Sequence, residues 1–167
     1  MNRSWEKIQN DAFAFFVDKT EIGQLIMKPH SSSVQAIALI QGKEYGIKRT
    51  GIWKNNVEIS DENNQVVAHT RIEKWYAQTL TLTYQGQSYQ LITRNNPLAE
   101  MAITYKGSDI LAYGLHAADN RDPLAVRITA SSRQDEYIFD FLLWYLFWPI
   151  ATESMGDYLT FTLLMTA

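Results

Sequence analysis

The chain has 167 residues, of which 46 % are apolar, 20 % charged and 13 % aromatic, with a formal charge of −3. That length fits one domain with its own core, and the composition excludes a disordered chain. The negative balance argues against a general nucleic-acid binder. With no cysteine there is no disulfide framework, thiolate nucleophile or cysteine-based zinc site, which fits a cytoplasmic protein.

The opening residues, MNRSWEKIQN, do not read as a signal peptide, because charges interrupt any apolar run. Ser4 as a cap suggests a short helix over 1–10. Period-two alternation then marks strands at 12–18, 22–28, 34–41, 44–49, 52–59 and 65–73, the last two flanking the turn formers SDENN. Further strands are expected at 78–85, 87–94, 99–105, 109–116 and 124–130, and DYLTFTLLMT (157–166) reads as a candidate last strand that could instead extend the preceding helix. QGKEYGI (41–47), QGQSYQL (85–91) and KGSDILA (106–112) each place a glycine at a bend with apolar residues three and five positions on, as hairpins require.

Residues Phe141 to Ile150 are apolar or aromatic without a break. A buried strand or a helix would accommodate them. Ser131 or Ser132 as N-cap, with Asp135 and Glu136 in the first turn, favours a helix over about 133–150. Pro149 is expected to end or kink it at Trp148, unless it continues to a cap at Gly156. A helix apolar on every face must be enclosed by protein or lipid. Residues 137–148 make a rod of roughly 18 Å, short of a hydrocarbon core of about 30 Å, so a transmembrane span is not expected. The remaining reading is an all-β domain over 1–167: a closed antiparallel barrel of roughly twelve strands around one central hydrophobic helix.

No CxxC, HExxH, phosphate-binding glycine loop or GxSxG elbow occurs, so no enzyme signature, metal or cofactor is called for. His30, His69 and His116 are widely separated and read as structural or surface residues. Asp140, entering the apolar run, needs a partner or a shifted pKa. A strand amide or a place at the barrel mouth would satisfy it.

EYGIKRTGIWKNNVEISDENNQVV (44–67), PLAVRIT (123–129) and YIFDFLLWYLFWPI (137–150), in an order of many strands followed by one hydrophobic helix, resemble the tubby-like C-terminal domain superfamily. Its relatives include the LURP-one-related proteins and the phospholipid scramblases. In LURP-one-related proteins a Y-x-I-x-R strand is similarly followed by a turn and a strand ending at an Asp-containing hairpin. DYLTFTLLMTA departs from the pattern, since the helix ends the tubby domain. Tubby domains bind phosphoinositide headgroups through Lys and Arg on the barrel exterior, and scramblases act at bilayers. The resemblance therefore implies a non-enzymatic binding or scaffold domain, cytoplasmic or peripheral at a membrane, whose partner is anionic phospholipid or another protein. Lys48, Arg49 and Lys54 on one strand–turn–strand unit, with Arg71 and Lys74 on a following one, are the positions that would serve. The competing reading of these residues is a solvated face balanced by Glu44, Glu58, Asp61 and Glu62. A lipocalin-like carrier holding a small apolar ligand in the barrel is the alternative function.

Overall fold

Tight turns set the architecture. Tyr84 pairs with Gln87 and Tyr105 with Ser108 across turns whose central residues all have positive φ: Gln85 48° and Gly86 75°, Lys106 50° and Gly107 81°. That is the type I′ geometry whose twist matches paired strands. A Cβ on either glycine would meet nothing within 4 Å, so backbone strain alone opposes a side chain there. Gly86→Val and Gly107→Val should each cost at least about 1 kcal/mol; unchanged melting temperatures in both variants would refute the hairpin account. Asp18 (φ 48°) and Lys19 (φ 70°) form the same turn between Val17 and Thr20 without any glycine. Lys19→Gly should therefore stabilise the protein, by up to about 1 kcal/mol.

The computed structural model describes residues 1–72, 79–95, 98–116, 125–131 and 136–166, with side chains described up to Glu153. Its strands are β1 (Arg3–Gln9), β2 (Ala12–Val17), β3 (Thr20–Met27), β4 (Ala36–Ile40), β5 (Lys43–Thr50), β6 (Asn56–Asp61), β7 (Val66–Ile72), β8 (Thr79–Tyr84), β9 (Gln87–Asn95), β10 (Ala99–Tyr105), β11 (Ser108–His116) and β12 (Ala125–Ala130), followed by helix α1 (Ile138–Thr166). Each strand pairs antiparallel with the next in one twelve-stranded meander, which curls into a nearly closed barrel around α1.

The expected helix over 1–10 is instead β1, paired with β2 from Arg3↔Val17 to Gln9↔Ala12. Its inward positions include Arg3 and Trp5, so a charge interrupts the apolar alternation that marks a strand. Residues 52–59 are not one strand either, because β6 starts only at Asn56.

α1 begins at Ile138, later than the Ser131 and Ser132 caps require. Ser131 N–H instead extends the sheet by donating to Ile110 O at 2.9 Å. Ser132 and Asp135 lie outside the described residues, and Glu136 precedes the helix. Pro149 does not end it, and 157–166 continue it rather than forming a strand. Proline's φ suits a helix; its cost is one lost hydrogen bond and a local clash. Here Trp148 is held in helical conformation by packing on Phe13 and Trp144, with ring centroids 4.8 and 5.3 Å apart. The Thr152 hydroxyl donates to the carbonyls of Trp148 and Pro149 at 3.0 and 2.9 Å. At 29 residues the rod is roughly 43 Å long, longer than the roughly 18 Å expected from residues 137–148. Protein encloses its N-terminal part. Every residue from Ile138 to Tyr145 is buried, as are Phe147 and Ala151, and consecutive positions point to all sides of a helix. Among the described residues no helix is long and apolar enough to cross a membrane.

Candidate functional site

A meander gives the barrel two distinct ends. α1 enters at the end carrying the β2–β3, β6–β7 and β8–β9 turns, where the Tyr84 hydroxyl donates to Glu136 at 2.8 Å. It leaves at the end carrying the β5–β6 loop, where Tyr145 lies under the Arg49 guanidinium (5.5 Å to the ring centroid) and Thr152 and Glu153 are exposed.

Near the entry lies a buried polar network. Arg3 Nη1 donates to Asp140 Oδ2, the Tyr113 hydroxyl donates to Asp140 Oδ1 at 2.8 Å, and Trp5 Nε1 donates to the Tyr113 hydroxyl at 3.0 Å. Asp140 is wholly buried, so its partners are a guanidinium and a phenol, not a strand amide, and it lies in the interior, not at the mouth. Burial pushes its carboxyl from 3.8 up to about 6, with Arg3 and Tyr113 opposing the rise. Burial also drives the Tyr113 phenol well above its ordinary value, helped by the Asp140 charge. The indole of Trp5 stacks on Trp144 at 5.1 Å, closing the network over. Arg3, Tyr113 and Asp140 are buried, and their bonds tie β1 and β11 to α1.

The exit end holds the expected basic positions, though not as one flat patch. Strand alternation splits Lys48 from Arg49. Lys48 faces outward beside Glu58, its partner across β6, with Nζ and Oε2 3.0 Å apart, a half-exposed pair of small energetic weight. Arg49 shares the inward parity of buried Ile47 and reaches the rim above Tyr145. Lys54 and Arg71 are exposed, and Lys74 lies outside the described residues.

Between Arg49 and Lys54 the chain makes a tight turn. Lys54 N–H donates to Gly51 O at 3.1 Å, with Gly51 at φ 86° and Lys54 at φ 51°. Arg49 Nη1 donates to Lys54 O at 3.5 Å, and Asn56 Oδ1 accepts from Ile72 N–H at 3.2 Å, so the turn is anchored at its base. Its two central residues point away from the protein: Ile52 is 95 % exposed and Trp53 82 %. Beneath them a surface depression of about 370 Å³ has Asn55, Asn56 and Arg71 among its walls. The alternation around Ile52 hides this feature by imitating a strand. The signal that could have exposed it is Gly51 followed by Asn55–Asn56, turn formers bracketing Ile-Trp-Lys.

Lys28, Lys48, Arg49, Lys54 and Arg71 at this end accompany Asp11, Glu58 and Glu153, whereas the opposite end carries Asp18, Glu21, Glu44, Asp61, Glu62 and Glu136 against Lys19, Lys43 and Lys106. Elsewhere on the surface Arg94 is neutralised: its fork donates to both Asp109 oxygens at 2.7 and 2.6 Å and to Glu100 at 3.0 Å. His30, His69 and His116 are exposed and far apart in the fold, and no group of metal-ligating side chains occurs among the described residues.

Comparison with models of protein families, with curated proteins and with solved structures finds no match for this chain.

Proposed function

We propose that this protein is a non-enzymatic binding domain that associates peripherally with anionic phospholipid headgroups, using the exit end of its barrel. The observation that carries this reading is the convergence of Arg49, Lys54 and Arg71, with Lys48 beside them, on one end whose opposite pole is richer in acids. Basic side chains near an anionic bilayer each contribute about 1 kcal/mol, and phosphate suits their charge-assisted hydrogen bonds. The resemblance to the tubby-like superfamily points the same way, and a chain without cysteine fits the cytoplasmic leaflet. A lipocalin-like carrier is disfavoured, because Phe139, Phe141, Leu143 and Phe147 of α1 occupy the interior where its ligand would lie.

Reversing Lys48, Arg49 and Lys54 to Glu should abolish salt-sensitive co-sedimentation with phosphatidylserine-containing vesicles and leave the melting temperature within a few degrees. If the unmodified protein ignores such vesicles at low salt, the residues form only a solvated face.

A further inference from the structure

We infer that Ile52 and Trp53 form a membrane anchor: the tip of the β5–β6 turn enters the interfacial layer of a phospholipid bilayer and docks the barrel end-on, with the mouth where α1 leaves turned toward the lipid. This deepens the headgroup reading above and rests on it for the charged part of the contact.

Single exposed apolar residues are ordinary on protein surfaces. This pair is not of that kind. The centre of a tight turn is where polar residues and glycine collect, because the chain there faces water; here an isoleucine and a tryptophan fill both positions, 95 % and 82 % exposed. Nothing in the turn needs them for its own folding. Its backbone is closed by the Lys54 N–H to Gly51 O bond and its base is tied by Arg49 and Asn56. The tip is therefore held in its exposed shape before any partner arrives, and little conformational freedom remains to be lost on binding.

The chemistry of the surround selects the partner. A protein interface needs about 800 Å² on each side, spread over some 20–30 residues, whereas this tip is a convex point of two apolar side chains. A bilayer needs only such a point. Tryptophan concentrates at the membrane interface, where its ring is accommodated among headgroups and its N–H stays hydrated. Lys54, next in sequence and exposed, can lay its methylene stem along the apolar layer and keep its ammonium among phosphates. Arg49 and Arg71 stand further back at the rim and on β7, at the depth where headgroup phosphates would lie when the tip is immersed. The turn's internal hydrogen bond also lowers the cost of carrying backbone polar groups toward lipid. Insertion of the tip orients the barrel, because these cations reach the headgroup layer together only if the barrel axis stands steeply on the membrane.

The test uses the full chain with vesicles of phosphatidylcholine alone and of phosphatidylcholine with phosphatidylserine, some carrying brominated acyl chains. Trp53 fluorescence is isolated by difference against Trp53→Phe. Trp53 should shift to the blue and be quenched by bromines near the headgroups. Ile52→Ser/Trp53→Ser, with melting temperature unchanged, should bind at least about tenfold more weakly at both low and high salt, since the lost contribution is apolar. Binding to anionic vesicles that the double variant retains in full, with Trp53 unquenched, would overturn the anchor and leave the electrostatic reading standing. Trp53-dependent binding equally strong on both kinds of vesicle would keep the anchor and remove the anionic-headgroup reading. Absence of binding to either removes both. Shielding of Trp53 that rises with protein concentration in the absence of lipid, and is lost in the double variant, would make the tip a self-association contact and overturn the membrane assignment.

Discussion

Asp140→Ala should lower the stability of the barrel by about 3–5 kcal/mol at neutral pH, the loss expected when one member of a buried ion pair is removed and the other charge stays behind. The charge left is the Arg3 guanidinium, whose side chain is 2 % exposed, and the Tyr113 hydroxyl loses its acceptor as well. Asp140→Asn keeps an acceptor for Tyr113 and removes the titration together with the charge opposite Arg3, so the pH dependence of its difference from the wild type, not the constant offset, reports the titration. Because burial raises the folded-state carboxyl from 3.8 to about 6, folding favours the proton. The part of its contribution that depends on this proton is fully present below about pH 3.8 and is lost as pH rises through about 6, while the pairing with Arg3 and Tyr113 persists. The gap in unfolding free energy between the wild type and Asp140→Asn should therefore widen as pH falls from 7 toward 4. Urea titrations at each pH measure that gap, and a gap that stays flat or narrows on acidification would show that Arg3 outweighs burial.

Phe147→Ala should cost a similar amount, about 3–5 kcal/mol. The ring is fully buried on a helix surrounded by sheet, and a β-barrel cannot shrink locally to fill the space without breaking strand pairing. Trp148→Ala should be milder, because Trp148 is only partly buried where the helix leaves the barrel. Leu143→Asp would place an unpaired carboxylate at a site with no exposure and should leave no folded protein at neutral pH. Deleting residues 135–167 removes the filling altogether, and the remaining meander should aggregate rather than persist as a smaller soluble domain. A loss below about 1 kcal/mol for Phe147→Ala, with an unchanged denaturant slope, would mean that the helix is not held by the barrel interior.

Ten of the strands, β2 to β5 and β7 to β12, lie within two residues of the ranges expected from alternation and turn chemistry. β1 escapes the same rule because Arg3 takes an inward position. Its reason, Asp140, is 137 residues away in the chain, and each of the two looks misplaced without the other. The reach of α1 past Pro149 is hidden for a related cause: local propensity argues for a stop, and the aromatic packing of Trp148 on Phe13 that overrides it is tertiary. The candidate site was half legible. Basic residues could be gathered from the sequence, but their division between the outer face, the rim and the turn depends on strand parity, and the exposure of Trp53 depends on β6 starting at Asn56 rather than Ile52.

The order of elements along the chain has a kinetic consequence. Every strand pairs with its neighbour in sequence, so each hairpin closes a short loop and can form early and quickly. The element that gives those strands something to fold around follows all of them. Until α1 is in place the inner face of the sheet has no dry partner, and twelve strands of apolar surface, with Arg3 among them, remain open to water or to other chains. Assembly of the barrel is then governed by one late, non-local step, the arrival of the helix. Replacements that weaken the grip on α1, such as those at Arg3 or Phe147, should slow productive folding and divert chains to aggregates more than replacements in the turns, which act on steps completed before the helix arrives.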